Sequence, residues 1–334
     1  MKDAIVWLVL PLSLGILSGC NKDGNLSSPI GSNWVKGQGI QGYGISGLGA
    51  IGQNFVAGSS CAPCSQAYVF LSSDGGLTWN LQESFHVNNH APNNRLYIYP
   101  QETFFAHGAE LYLGIQSGGN GSIYASTDGG VTWTQKDTSF TKEANCFAAI
   151  NDTIFVGTNH GVFYSIDNGA SWDQADTAGM SQPVDELAVI GSILFAATPG
   201  EGIYRTTNGA QGWTPINATT FDFHGLASIG NALFASAFGD SSLGGVFVST
   251  DLGGNWERAD DGLRDKGVNA LCATAAELFV GTNSGVFASS DEGTTWKDIS
   301  IGVSLPSVST LSVVGQYLLV GTSDGVWRYR TPNG

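Results

Sequence analysis

The sequence predicts an all-β fold: a seven-bladed β-propeller of four-stranded antiparallel blades, closed by an N-terminal strand that pairs with the last blade. Three observations carry this. An eight-residue phrase, Ser-x-Asp-x-Gly-x-Thr-Trp, recurs six times, ending at Trp79, Trp133, Trp172, Trp213, Trp256 and Trp296. The tryptophans stand 54 (79 to 133), 39 (133 to 172), 41 (172 to 213), 43 (213 to 256) and 40 (256 to 296) residues apart, a period that signals stacked supersecondary units. Each unit also holds four short β-type runs between turn residues, the composition of a propeller blade.

Taken in order, the chain opens with MKDAIVWLVLPLSLGILSGC, in which Lys2 precedes an apolar stretch from Ala4 to Leu17. That stretch is short for a membrane-spanning helix and fits a secretory signal. It ends in Leu17-Ser18-Gly19-Cys20, which resembles the bacterial lipobox, whose cysteine is acylated and becomes the new N-terminus. The resemblance implies a signal peptide over 1–19 and a lipid anchor on Cys20, where two or more acyl chains hold a protein stably at a membrane. The following Asn21-Lys22-Asp23-Gly24 is similar to the surface-export signal of Bacteroidota lipoproteins. Residues 20–33, rich in Gly, Ser and Asn, read as a flexible tether reaching about 40 Å when extended. The expected location is the bacterial cell envelope, at the outer membrane or cell surface.

The propeller is expected over 34–330. In the unit ending at Trp296, Val268–Cys272 is an apolar run, Thr274–Glu277 a turn, and Leu278–Thr282 a second run. Asn283–Gly285 turns, Val286–Ser289 is the third run, and the phrase (the box) leads to a fourth over Thr295–Asp298. Within the box, the third-position aspartate is placed to accept bonds from backbone N–H groups ahead of it, as Asx turns do. Glycine at the fifth position is free to take positive φ. The tryptophan is suited to wedge between units. Asp74, Asp128, Asp167, Asp251 and Asp291 hold the third position, and Asn208 replaces the acid in the decayed fourth box, where it is expected to keep the turn bond. No Asp-x-Asp-x-Asp-Gly ligand pattern surrounds any box, so the reading is structural.

Beyond Trp296 come three more runs, Val308–Val314, Tyr317–Thr322 and Gly325–Arg330, and no further box. Upstream, Asn33-Trp34 matches Asn255-Trp256 and lies 45 residues before Trp79 (34 to 79). Pairing the Trp34 strand beside Val326-Trp327-Arg328 supplies the missing fourth strand and removes two open edges. The count is then seven.

These repeats resemble the Asp-box (BNR) propellers, which include sialidases, two-domain xyloglucanases, sortilin-type receptors and photosystem II assembly factors. The resemblance runs from Trp34 to Arg330 and implies the fold; the box is shared across many activities and implies none of them. Sialidases join three arginines to a Tyr–Glu pair and an early Phe-Arg-Ile-Pro phrase. That phrase is absent here, and of six arginines only Arg95 and Arg264 fall in variable loops. Xyloglucanases hold substrate between two propellers, and one is present here. The photosystem assembly factors carry an arginine patch that this chain lacks.

With 28 acidic against 13 basic residues, a net charge of −15, the surface repels phosphate backbones and excludes nucleic acid as a partner. Length variation gathers on the face holding the fourth-to-first and second-to-third connections, where binding loops on a rigid scaffold belong. The candidate ligand residues are His86, His90, Arg95, Tyr97 and Tyr99 in the loop from Glu83 to Gln101, Phe221, Asp222 and His224 in the loop from Asn217 to His224, and Arg264. Met180 lies in another loop of that face, from Asp173 to Glu186. Cys61-Ala-Pro-Cys64 reads as a local disulfide after export; it has no second ligand pair for zinc. Cys146 and Cys272 read as small core residues. The expectation is a monomeric, non-catalytic binding or scaffolding module for an envelope protein or glycan. It carries no cofactor and no metal, and touches the membrane only through its anchor. The alternatives are a sialidase-like glycoside hydrolase with an atypical site and an assembly or stability factor for an envelope complex.

Overall fold

The computed structural model describes residues 33–61, 66–86, 103–117, 120–177, 179–180, 183–216, 222–238 and 244–331. Among them lie seven four-stranded antiparallel sheets and no helix. Blades 1 to 6 are numbered by their boxes, and each is a simple meander. Blade 6 runs Val268–Ala273, Leu278–Thr282, Gly285–Ser289 and Lys297–Asp298. The seventh blade joins Val308–Val314, Tyr317–Thr322 and Gly325–Arg330 to Trp34–Lys36. The register there is Trp34 opposite Tyr329, Val35 opposite Arg328 and Lys36 opposite Trp327, so the ring closes as the sequence predicts.

The first strands form the inner wall. Each packs against the first strand of the next blade all the way round, from Ile45–Ile51 through Thr103–His107, Ala144–Ile150, Glu186–Ile190, Asp222–Ile229 and Val268–Ala273 to Val308–Val314 and back. Second strands such as Ile193–Thr198 and Leu278–Thr282 are almost wholly buried, because both faces of each blade are covered by neighbours. That is why they read as continuous apolar runs without alternation. Third strands of blades 3 to 6 repeat one burial pattern with the partly exposed residue fourth, as in Gly161–Ser165 and Gly285–Ser289.

The core is therefore seven slabs lying between blades. One holds Trp34, Phe279, Val286, Val308 and Leu318, from blades 6 and 7; another holds Ile45, Phe55, Phe70, Leu319 and Val326, from blades 7 and 1. Trp34 fills the place of a seventh box tryptophan. Its indole N–H donates to Ile299 O at 2.7 Å, and that of Trp296 donates to Ala259 O at 2.8 Å. The two carbonyls are equivalent, since Ile299 and Ala259 each donate backward to the third strand of their own blade.

Four sequence expectations need correction. The fourth strand is shorter than expected in most blades, two residues in blade 6. In blade 1 it is longer: Glu83 to His86 extend a strand, Asn80–His86, where a loop is predicted, and Glu83 pairs with Val69. Asp222, Phe223 and His224 belong to a first strand, and Phe223 is fully buried. Met180 is a core residue beside Cys146 and Val184.

Candidate functional site

On one face the boxes are closed hydrogen-bonded loops. In blade 1, Asp74 accepts from the backbone of Leu77 and Thr78 and from the Thr78 hydroxyl at 2.6 Å, while Ser72 Oγ donates to Asp74 and accepts from Gly76 N–H. The same pattern holds at Asp128, Asp167, Asp251 and Asp291. Donation from Thr132 holds the Asp128 carboxyl down at about 2, and Asp167 and Asp251 are likewise lowered to about 2 by Ser171 and Asn255. Two successive residues take positive φ: the fifth-position glycine and the residue before it, even where that is Asn168, Leu252 or Glu292. At Gly253 a Cβ would meet Ile216 Cδ1 at 2.1 Å, so glycine there is required by the neighbouring blade as well as by φ.

Adjacent blades are tied through these loops. Arg328 donates to Gly75 O, Asn54 to Gly129 O, Tyr112 to Asn168 O and Arg205 to Leu252 O, each bond joining one blade to the next blade's box. The decayed box of blade 4 differs. Asn208 makes no side-chain turn bond among the described residues, contrary to the sequence expectation; instead Thr206 Oγ1 donates to Gln211 O and accepts from Asn208 N–H.

On the opposite face a second set of ties surrounds the inner rim. The first strands of five blades carry a β-bulge at Ser46, Asn145, His224, Asn269 and Ser309. A bulge turns its extra side chain out of the ladder; at Asn145, Asn269 and Ser309 it reaches the next blade, Ser46 donates to Gly58 O of its own blade, and His224 reaches back to blade 4. Asn145 donates to Val184 O and Asn269 to Val308 O, both at 3.0 Å, and Ser309 donates to Ile45 O.

Between blades 4 and 5 the neutral tie is replaced by ionisable groups. His224 Nδ1 lies 2.7 Å from Asp185 Oδ2, and its Nε2 lies 3.4 Å from Asp222 Oδ2. Asp222 is fixed in turn by Gly200 N–H at 2.9 Å, from the second-to-third turn of blade 4. Desolvation pulls the imidazole pKa down, but the bond and charge of Asp185, joined by Asp222, outweigh it and raise it. Beside Asp185, Glu186 begins the blade 4 first strand. It retains some surface exposure, yet loss of hydration, helped by Asp185, pushes its carboxyl up to about 8 against a weaker opposing bond from Leu187 N–H. One rim segment thus holds an imidazole between two carboxylates and a protonated carboxylic acid, able to accept hydrogen bonds, attract a cation and donate a proton. Among the described residues no group of three or more His, Cys, Asp or Glu side chains could hold a metal ion.

Of the sequence-named ligand residues, Asp222 and His224 come together at this rim. Arg264 stands apart, paired with Asp298 and lying over Phe287. His86 ends a strand opposite Gln66. Cys20, Cys64, His90, Arg95, Tyr97, Tyr99 and Phe221 lie outside the described residues, as does the Cys61 side chain. Sequence reasoning missed Asp185 and Glu186 as partners of His224. Their signal was present: the bulge residues Ser46, Asn145, Asn269 and Ser309 are neutral, His224 at the equivalent bulge is ionisable, and Asp185 stands just before the first strand of blade 4. Arg205 and Arg328 serve box loops and Arg258 pairs with Asp260, so these arginines do not converge on one point.

No family model and no curated protein matches this sequence. Solved structures match in fold. YCF48, solved bound to a D1 peptide, superposes with a TM-score of 0.65 at 20% identity, over 89% of this chain and 96% of that one. YCF48 from Cyanidioschyzon merolae gives 0.64 at 16% identity, over 90% and 99%. The GH74 xyloglucanase from Xanthomonas campestris gives 0.62 at 15% identity, over 89% of this chain and 53% of that one. The chain thus spans about half the xyloglucanase and nearly all of each YCF48 structure. At these identities the likeness establishes the propeller fold.

Proposed function

We propose that this chain is a lipid-anchored, extracytoplasmic propeller that holds a protein partner on its loop-bearing face and performs no chemistry of its own. One observation carries the reading: Asp185, Asp222 and His224 break a rim of neutral inter-blade ties at a single place on that face. A rigid scaffold that departs from its own repeat does so where specificity is needed. The peptide bound by a YCF48 propeller of matching length supports a protein segment as the partner class. The acidic excess of the rim suits a segment bearing a Lys or Arg side chain. Anchoring through Cys20 and the tether over 20–33 would place this face within reach of other envelope proteins.

A photo-crosslinker at position 222, used on native membranes, is expected to capture one discrete envelope protein, and Asp185→Asn with His224→Asn to abolish that capture. Crosslinks spread over many proteins, or unchanged by the double variant, would sink the proposal. Cys20→Ser is expected to move the protein from the membrane to the soluble fraction.

A second reading, a glycoside hydrolase with an atypical site, draws on Glu186, a carboxylic acid that stays protonated near neutral pH beside the Asp185 carboxylate, as an acid catalyst must. Turnover of sialosides or β-glucans abolished by Glu186→Gln would favour it over the binding module.

A further inference from the structure

The boundary between blades 3 and 4 lacks both devices that seal the box face elsewhere. Blade 4 has no aspartate turn, and among the described residues no side chain of blade 3 reaches the Gly209 carbonyl. The boundary between blades 5 and 6 also lacks the reaching donor, but its box keeps the Asp291 loop intact. The reason at blade 3 is visible in the sequence. Arg205 and Arg328 stand fourth in their third strands and donate into the next box; Tyr164 holds the same place in Gly161–Ser165, and its hydroxyl has no partner among the described residues.

The result is an open cleft of about 330 Å³. Its floor is the half-buried Tyr164, backed by Phe155, which is 3% exposed, with ring centroids 6.4 Å apart, and one wall is Ile166, which is 74% exposed. Its rim carries Asn151, Ser192, Thr207 and Asn208, all exposed. Asn151 is a further departure. The first-to-second turns of blades 1, 2, 4, 5 and 7 use glycine at positive φ (Gly52, Gly108, Gly191, Gly230 and Gly315), whereas blade 3 puts Asn151 there, at φ 53°. Asparagine tolerates this conformation better than most residues, and unlike glycine it adds an amide.

We infer that this cleft is a binding site for a neutral sugar ring of an oligosaccharide, separate from the rim on the opposite face. The chemistry selects that class. No charged side chain lines the cleft, although the chain carries a net charge of −15, so nothing there recognises an ionic ligand. The Tyr164 ring and the Ile166 side chain offer apolar surface to the C–H face of a pyranose, while amides and hydroxyls around them both donate to and accept from sugar hydroxyls. An apolar peptide side chain would leave the amides and hydroxyls of Asn151, Ser192, Thr207 and Asn208 unused, whereas a sugar ring engages them. The volume falls at the lower end of the range of small-ligand sites.

The test is saturation-transfer NMR and calorimetry on the intact propeller with short neutral oligosaccharides from β-glucan, mannan, xylan and chitin, alongside a sialylated oligosaccharide and an apolar peptide as comparison probes. The expected result is binding of at least one neutral oligosaccharide and not of the sialylated one. That affinity should fall about ten-fold or more in Tyr164→Ala and in Asn208→Ala, about 1.4 kcal/mol for each factor of ten, and be unchanged in His224→Asn. Asn208 is exposed and makes no side-chain bond among the described residues, so its variant folds even if Tyr164→Ala does not; an unchanged melting temperature verifies this. Absence of binding by every neutral oligosaccharide, binding that survives Asn208→Ala, or occupation of the cleft by the peptide probe instead would overturn the inference.

Discussion

The boxes of blades 3 and 4 are neighbours of equal length, Ser165 to Trp172 and Thr206 to Trp213, and they make opposite use of the same turn. In the first, Asp167 gathers the backbone and side chain of Ser171, and Tyr112 of blade 2 donates to Asn168 O. In the second, a threonine hydroxyl bridges the turn, and among the described residues the preceding blade reaches the box only with its backbone, Asp176 N–H to Ala210 O, and with no side chain. Both hairpins form, and both tryptophans still pack at a blade interface. The aspartate is therefore not what makes the hairpin; it stiffens the loop so that the neighbouring blade can be tied to it. Where the tie is given up, surface opens that can be put to use.

The largest expected effect lies at the seam, where Trp34 performs as a box tryptophan does from the far end of the chain. Trp34→Ala removes a nearly buried indole and its bond to Ile299 O, and should cost about 3–5 kcal/mol in denaturant unfolding. A loss under about 1 kcal/mol would show that the ring does not depend on this closure.

Next come the boxes themselves. Asp167→Ala is expected to cost about 1–2 kcal/mol, and Asn208→Ala less than about 0.5. Equal losses would break the comparison at its root.

Acid titration sharpens it. Asp128, Asp167 and Asp251 titrate at about 2 in the folded protein, against 3.8 ordinarily. The unfolded chain therefore takes up protons first as pH falls, and the stability these groups contribute, whole above about pH 4, drains away toward pH 2. Melting temperatures should fall through that window, and Asp128→Asn should flatten the curve where Asn208→Ala leaves it unchanged.

The smallest effect is at the rim. His224 and Glu186 both hold protons more tightly when folded, so their contributions are complete below 6.5 and 4.5 and are lost as pH rises, through about 8 for Glu186. A shallow fall in melting temperature across neutral to alkaline pH is expected. It should be reduced by His224→Asn, which restores the residue found at positions 145 and 269. A melting temperature that rises with pH would contradict the assignment.

Much of this architecture could be read from the residues because a propeller repeats its solution. Six box tryptophans, four of whose five spacings fall between 39 and 43 residues, and a seventh at Trp34 determine the blade count and the closure. What escaped was whatever depends on a partner in another blade. The turn chemistry of Asn208 looked equivalent to that of aspartate because a local rule says nothing about a hydroxyl at Thr206 competing for the same loop. The sequence around His224 reads as a loop because a bulge interrupts the apolar run of its strand, and a bulge is set by the neighbouring strand's register. Its contact with Asp185 joins residues 39 apart in sequence, across a blade boundary that periodicity alone does not orient.

The closing strand has a consequence for biosynthesis. Trp34 and Tyr329 pair across 295 positions (34 to 329), so a ribosome delivers one half of the latch first and the other almost last. Through nearly all of translation the growing arc has a vacancy, and bringing these ends together carries the entropic cost of closing a loop of nearly the whole propeller. A polypeptide stalled before Gly325 keeps two bare sheet edges, open to chaperones or to the matching edge of another unfinished copy.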